Sequence, residues 1–166
     1  MAKAREVPGL DRDLPFGEVA ARVLEVRCRE LIDSSAGVLD TADVERVHDM
    51  RVATRRLRAA LEIFRPCLPA AAAATLKEVK GLADALGRRR DADVAIAMLT
   101  DFAAAMPYPD RRGIASLIDE LSEDQRVANG ALAAPADPRH LAGLEAAIGG
   151  LAAAARAAAA GGGEPS

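Results

Sequence analysis

No stretch of this chain alternates apolar and polar residues as a half-buried strand would. Its apolar residues recur instead at three- and four-residue spacing, and clusters of Pro, Gly and Ser interrupt them. That period admits helices and excludes a sheet as the organising layer. Alanine and leucine, both strong helix formers, supply much of the apolar content, while aromatics are reduced to one Tyr and three Phe. The expected fold class is therefore all-α, a bundle of about six helices. A length of 166 residues suits one domain whose core needs no disulfide or metal.

The punctuation sets the elements. Pro8 and Pro15 mark an irregular start over residues 1–15. Ala20, Leu24, Cys28 and Leu31 share a helical face within a first helix from about Phe16. Asp40, Thr41 and Asp43 offer N-caps to a second helix that ends before Pro66 and Pro69. A third is predicted to run to Leu86, with Gly87 at its C-terminus. A fourth opens with Asp91 and Asp93 in its first turn and runs to about Ala105. The fifth spans about Arg111 to Ala133, and the sixth follows Pro138 to about Ala160. The bundle thus covers residues 16–160, and residues 161–166 read as a flexible tail.

Cys28 and Cys67 lie in helix-like segments without metal-ligand spacing, so they read as buried free thiols. The N-terminal segment has no apolar core that would make it a signal peptide. The alanine-rich last helix, interrupted by Glu145, Arg156 and glycines, is too weakly apolar to be expected in a bilayer. The expectation is a cytoplasmic protein.

A net charge of −3 conceals an uneven distribution. Residues 46–90 carry eleven Lys or Arg against four Asp or Glu, and acids dominate the rest. Such a segment expects an anionic partner. Within VHDMRVATRRLRAALEIF at 47–64, successive residues turn by about 100°, so Arg51, Arg55 and Arg58 fall within about 80° of His48. Val47, Met50, Ala53, Leu57, Ala60, Leu61 and Phe64 fall on the opposite face, with Arg56 on the flank. Guanidiniums three and four residues apart repel, and an anion laid along them relieves the repulsion. Their planar forks match phosphate, and a neutral His48 ring can still donate one hydrogen bond. In the next segment Lys77, Lys80 and Arg88 share a side beside a core face of Leu76, Val79, Ala83 and Leu86. Arg88, Arg89 and Arg90 precede the expected N-terminus of the fourth helix, where free N–H groups favour anions. Arg90 with Asp91 and Asp93 could equally form a local salt-bridged cap.

These two segments, VHDMRVATRRLRAALEIF at 47–64 and LKEVKGLADALGRRRDADV at 76–94, resemble the CHAD family, the conserved histidine α-helical domain. The resemblance is clear over about 19–99 and weaker to about Leu151. It implies a helical bundle that binds inorganic polyphosphate in a basic groove without catalysis or cofactor, often beside a polyphosphate-metabolising enzyme. It assigns the site to His48, Arg51, Arg55, Arg56 and Arg58, with Lys77, Lys80, Arg88 and Arg90 contributing. Polyphosphate granules are the implied location. The family domain usually has two similar halves, each with a histidine–arginine helix. This chain has one such helix, since His140 in PRHLAGLEAA precedes no arginine stripe. It therefore resembles a half domain, for which a homodimer is expected. Nucleic-acid backbone binding by the same face is one rival reading, disfavoured by the scarcity of stacking aromatics, and a helical interaction module associated with a polyphosphate enzyme is another. Catalysis is not expected, because no Gly-rich phosphate loop, metal-ligand cluster or nucleophile–base arrangement is present.

Overall fold

A computed structural model describes residues 3–161. Five α-helices make up most of the described residues: α1 (Phe16–Ser34), α2 (Val44–Ile63), α3 (Ala72–Ala104), α4 (Arg111–Ala133) and α5 (Pro138–Ala160). Single 3₁₀ turns at Arg65–Cys67 and Tyr108–Asp110 follow α2 and α3. The described residues contain no strand. Residues 3–15 form no regular helix, and of the predicted tail only Gly161 is described; residues 162–166 lie outside the described residues.

The helix count is five because the predicted third and fourth helices are one. Gly87 does not end a helix. It has no positive φ, and α3 runs through it for 33 residues, about 50 Å. A mid-helix glycine costs about 1 kcal/mol relative to alanine. Burial on both sides of it outweighs that: Leu82, Ala85 and Leu86 precede it, and Arg89, Ala92 and Asp93 follow it on the inner face. Consequently Arg88, Arg89 and Arg90 lie mid-helix, with no free backbone N–H groups to offer an anion.

In the core, α1 packs between α2 and α5, and α2 packs between α1 and the first half of α3. Leu24, Leu31, Val47, Met50, Leu57, Leu61, Val79, Leu86, Leu144 and Ile148 are fully enclosed. Gly17 is required where α1 meets α5, because a Cβ there would stand 2.3 Å from the Ala155 carbonyl oxygen. Gly37 adopts φ +71° in the α1–α2 turn, a conformation that costs glycine little. Arg156 ties α5 to α1 through Glu18 and Glu25, and Asp137 caps α5 by accepting from the Arg139 and His140 backbone N–H groups.

α5 is the one helix among the described residues long and apolar enough to cross a membrane. Its larger side chains, Leu141, Leu144, Ile148 and Leu151, are buried in the bundle. Cys28 and Cys67 are free thiols. Desolvation, aided by the charge of Glu145, pushes the Cys28 thiol up to about 11.

The helical phase of α2 matches the sequence reading, with Val47, Met50, Ala53, Leu57, Ala60 and Leu61 inward. Leu57→Ala is therefore expected to destabilise the fold by about 2–5 kcal/mol in urea denaturation. A loss below about 1 kcal/mol would mean that α2 is turned differently.

Candidate anion-binding groove

The outward face of α2 meets α3 along a shallow cleft. Arg51, Arg55 and Arg58 line it from α2, and Ala83, Asp84, Gly87, Arg88 and Asp91 line it from α3. The open volume is about 420 Å³. The α3 residues come from one side of that helix because three- and four-residue steps return to the same face. Arg51, Arg55 and Arg88 are exposed and make no ion pair or hydrogen bond among the described residues. Asp84 and Asp91 are the acids in the lining, so four guanidiniums face two carboxylates.

At one end of the cleft a carboxylate sits between two cations. Arg58 Nε donates to Glu62 Oε1 at 3.1 Å, and Lys80 Nζ lies 3.5 Å from the same oxygen. The Arg58 hydrogen bond, then the charges of Arg58 and Lys80, hold the Glu62 carboxyl below its ordinary range. Lys77, one turn before Lys80, is exposed and extends the cationic side of α3. His48 is half-buried on α2, one turn before Arg51.

Two predicted site residues point elsewhere. Arg56 faces α1, 3.7 Å from Glu30, and lines a separate groove with Lys3, Arg5 and Asp33. Arg90 Nη1 donates to the Val44 carbonyl at 3.2 Å and lies 3.7 Å from Glu45, so it fastens α3 to the start of α2. It does not pair with Asp91 or Asp93 as a local cap.

The middle arginine of the run takes a third direction. Arg89 is completely buried, and its Nη1 donates to Asp93 Oδ2 at 2.6 Å. Gln125 Nε2 of α4 donates to the other Asp93 oxygen at 2.6 Å. The Arg89 Nε and Nη2 groups have no partner among the described residues. Three consecutive arginines thus serve the groove, the core and the α2 contact, as 100° steps require. The i,i+4 spacing of Arg89 and Asp93 was the available signal. The helix end that Gly87 suggests hides it.

A family comparison decides the class. The sequence profile of the CHAD domain matches residues 22–165. The chain belongs to the CHAD domain family. A crystal structure of the CHAD domain from the plant Ricinus communis matches with a TM-score of 0.67 at 25% identity, over 89% of this chain and 50% of that one. The chain therefore spans half the length of that CHAD structure. A search of curated proteins gives no match. Both segments that carried the CHAD resemblance fall on the groove: the first is the body of α2, and the second is the middle of α3.

Proposed function

We propose that this CHAD protein binds inorganic polyphosphate, without catalysis, along the cleft between α2 and α3. The observation that carries the reading is the convergence of Arg51, Arg55, Arg58 and Arg88 on one open groove, three of them without an acidic partner. Each guanidinium can give a phosphate two parallel hydrogen bonds. Lys77 and Lys80 continue the positive side of α3, which suits a linear ligand longer than one phosphate. His48 extends the same stripe from the other end. No nucleophile–base pair lines the groove, which supports capture rather than turnover. The reading carries with it a cytoplasmic setting at polyphosphate granules, with a polyphosphate-metabolising enzyme as neighbour.

Nucleic acid is the second reading, because backbone phosphates would meet the same arginines. The groove lining contains no aromatic on which a base could stack. Long polyphosphate is therefore expected to raise the melting temperature, with affinity falling steeply with salt. Four phosphate contacts imply a log–log slope of roughly −3. No phosphate should be released from polyphosphate, triphosphate or ATP with Mg²⁺ or Mn²⁺. Thermal shift across a salt series and a phosphate-release assay check both. An unchanged melting temperature, or turnover abolished by Asp91→Asn, would overturn the reading.

A further inference from the structure

The cations along the groove fall into two sets. Arg51, Arg55 and Arg88 are exposed and have no ion pair among the described residues. Arg58 and Lys80 are both engaged by one carboxylate oxygen. Arg58 Nε donates to Glu62 Oε1 at 3.1 Å, and Lys80 Nζ stands 3.5 Å from the same atom. Arg58 and Glu62 are one turn apart on α2, whereas Lys80 reaches across from α3. A pair four residues apart is by itself an ordinary feature of a solvated helix. The cation from the second helix makes this one different, because it sets Glu62 across the line of the groove. Arg58 lines the cleft from α2, and Lys80 lies one turn before Asp84, which lines it from α3. Glu62 therefore stands where the cleft runs on between the two helices.

We infer that Glu62 is a built-in competitor for the anion, holding Arg58 and Lys80 until a chain long enough to reach them displaces it. The inference rests on the polyphosphate reading of the groove and concerns how much of the groove a ligand occupies. The Glu62 oxygen sits between a guanidinium of α2 and an ammonium of α3, the position a phosphate oxygen of a chain in the groove would take. Carboxylate and phosphate therefore compete for the same two donors. Displacement is open to solvent and inexpensive. The side chains of Arg58, Lys80 and Glu62 are each 43% exposed, and ion pairs so exposed hold weakly. The fully enclosed pair of Arg89 and Asp93 offers no such exchange.

Spacing along α2 decides which ligands meet Glu62. Arg51 and Arg55 are about 6 Å apart along the helix axis, and Arg58 lies about 10 Å from Arg51. A triphosphate is satisfied at the unoccupied end by Arg51, Arg55 and Arg88, and it leaves Glu62 in place. A long chain continues past Arg55 and takes Arg58 and Lys80 from Glu62. It then reaches the exposed Lys77, one turn before Lys80. Glu62 thus lowers the affinity gained from each phosphate beyond the open end, and it stands ready to recapture both cations when the chain leaves.

Calorimetric titration of the whole chain with long polyphosphate and with triphosphate is the test. Glu62→Gln, which keeps the size of the side chain, should bind long polyphosphate about five-fold more tightly and triphosphate less than about two-fold more tightly. Glu120→Gln makes the same change of net charge on an exposed residue of α4, outside the groove, and should alter neither affinity at physiological salt. Lys80→Met should weaken long-chain binding more in the Glu62→Gln protein than in the parent. In the parent, the lost contact is offset because Glu62 no longer has to be stripped from Lys80. Equal gains for the two ligands, or the same gain from Glu120→Gln, would reduce the effect to net charge and overturn the inference. Long-chain affinity left unchanged or lowered by Glu62→Gln overturns it too, while leaving the polyphosphate reading in place. A parent protein that binds no long polyphosphate overturns that reading and the inference with it.

Discussion

Asp93→Ala is expected to lower the stability of the fold by about 3–5 kcal/mol, the cost of leaving one member of a buried ion pair without its partner. Arg89 and Asp93 are both fully enclosed, at 2.6 Å. The guanidinium already lacks partners at Nε and Nη2, so Asp93 is its counter-charge among the described residues. Removing the carboxylate also frees Gln125, whose bond to Asp93 ties α4 to α3. Against a total of about 5–15 kcal/mol for an ordinary domain, the loss is large. Hydrogen exchange should rise first in α4, the α-helix with the fewest buried side chains. Replacing both residues, as Arg89→Met with Asp93→Leu, should recover most of the stability, because no buried charge then remains. Denaturation of the three proteins checks the order. A loss under about 1 kcal/mol for Asp93→Ala would show that Arg89 reaches solvent or another acid.

Arg51→Ala and Arg55→Ala should each weaken polyphosphate binding about ten-fold or more, and together about a hundred-fold. Each guanidinium is exposed and free of ion pairs, so its hydrogen bonds to phosphate cost no internal contact. A charge-assisted hydrogen bond is worth about 1.5–3 kcal/mol, and 1.4 kcal/mol is ten-fold. The stability of the fold should be unchanged, since both side chains point away from the core. The salt slope should fall by about one for each arginine removed. Arg90→Ala should behave differently, loosening the α2–α3 contact more than the ligand. Calorimetric titration of each variant reads these effects. Undiminished binding by the folded double variant would move the ligand to another surface, such as the groove of Lys3, Arg5 and Arg56.

How far the sequence can be read is clearest along α2 and α3. On α2 Val47, Met50, Leu57 and Leu61 lie on one face and Arg51, Arg55 and Arg58 on the other, so the helical period alone orients it. On α3 the same rule fails at Gly87, whose turn propensity suggested an end that the packing of Leu86, Arg89 and Asp93 overrides. Carrying the period through Gly87 would have set Arg88 and Asp91 on the groove side with Lys80 and Asp84, and Arg89 and Asp93 on the core side. Arg56 and Arg90 illustrate a different limit. Their partners, Glu30 of α1 and Glu45 at the start of α2, are chosen by how helices are placed against each other. The packing of α4 is likewise invisible to periodicity. Ile114, Ile118 and Leu121 announce an inward face on α4, but only the structure shows that a single helix covers it.

Competition between ligands addresses the central claim most directly. A labelled long-chain polyphosphate bound to the protein should be displaced by unlabelled polyphosphate at far lower phosphate concentration than by single- or double-stranded DNA at moderate salt. The preference should vanish in the Arg51→Ala, Arg55→Ala protein. Displacement by DNA at equal or lower concentration would contradict the account and assign the groove of Arg51, Arg55, Arg58 and Arg88 to nucleic-acid backbones.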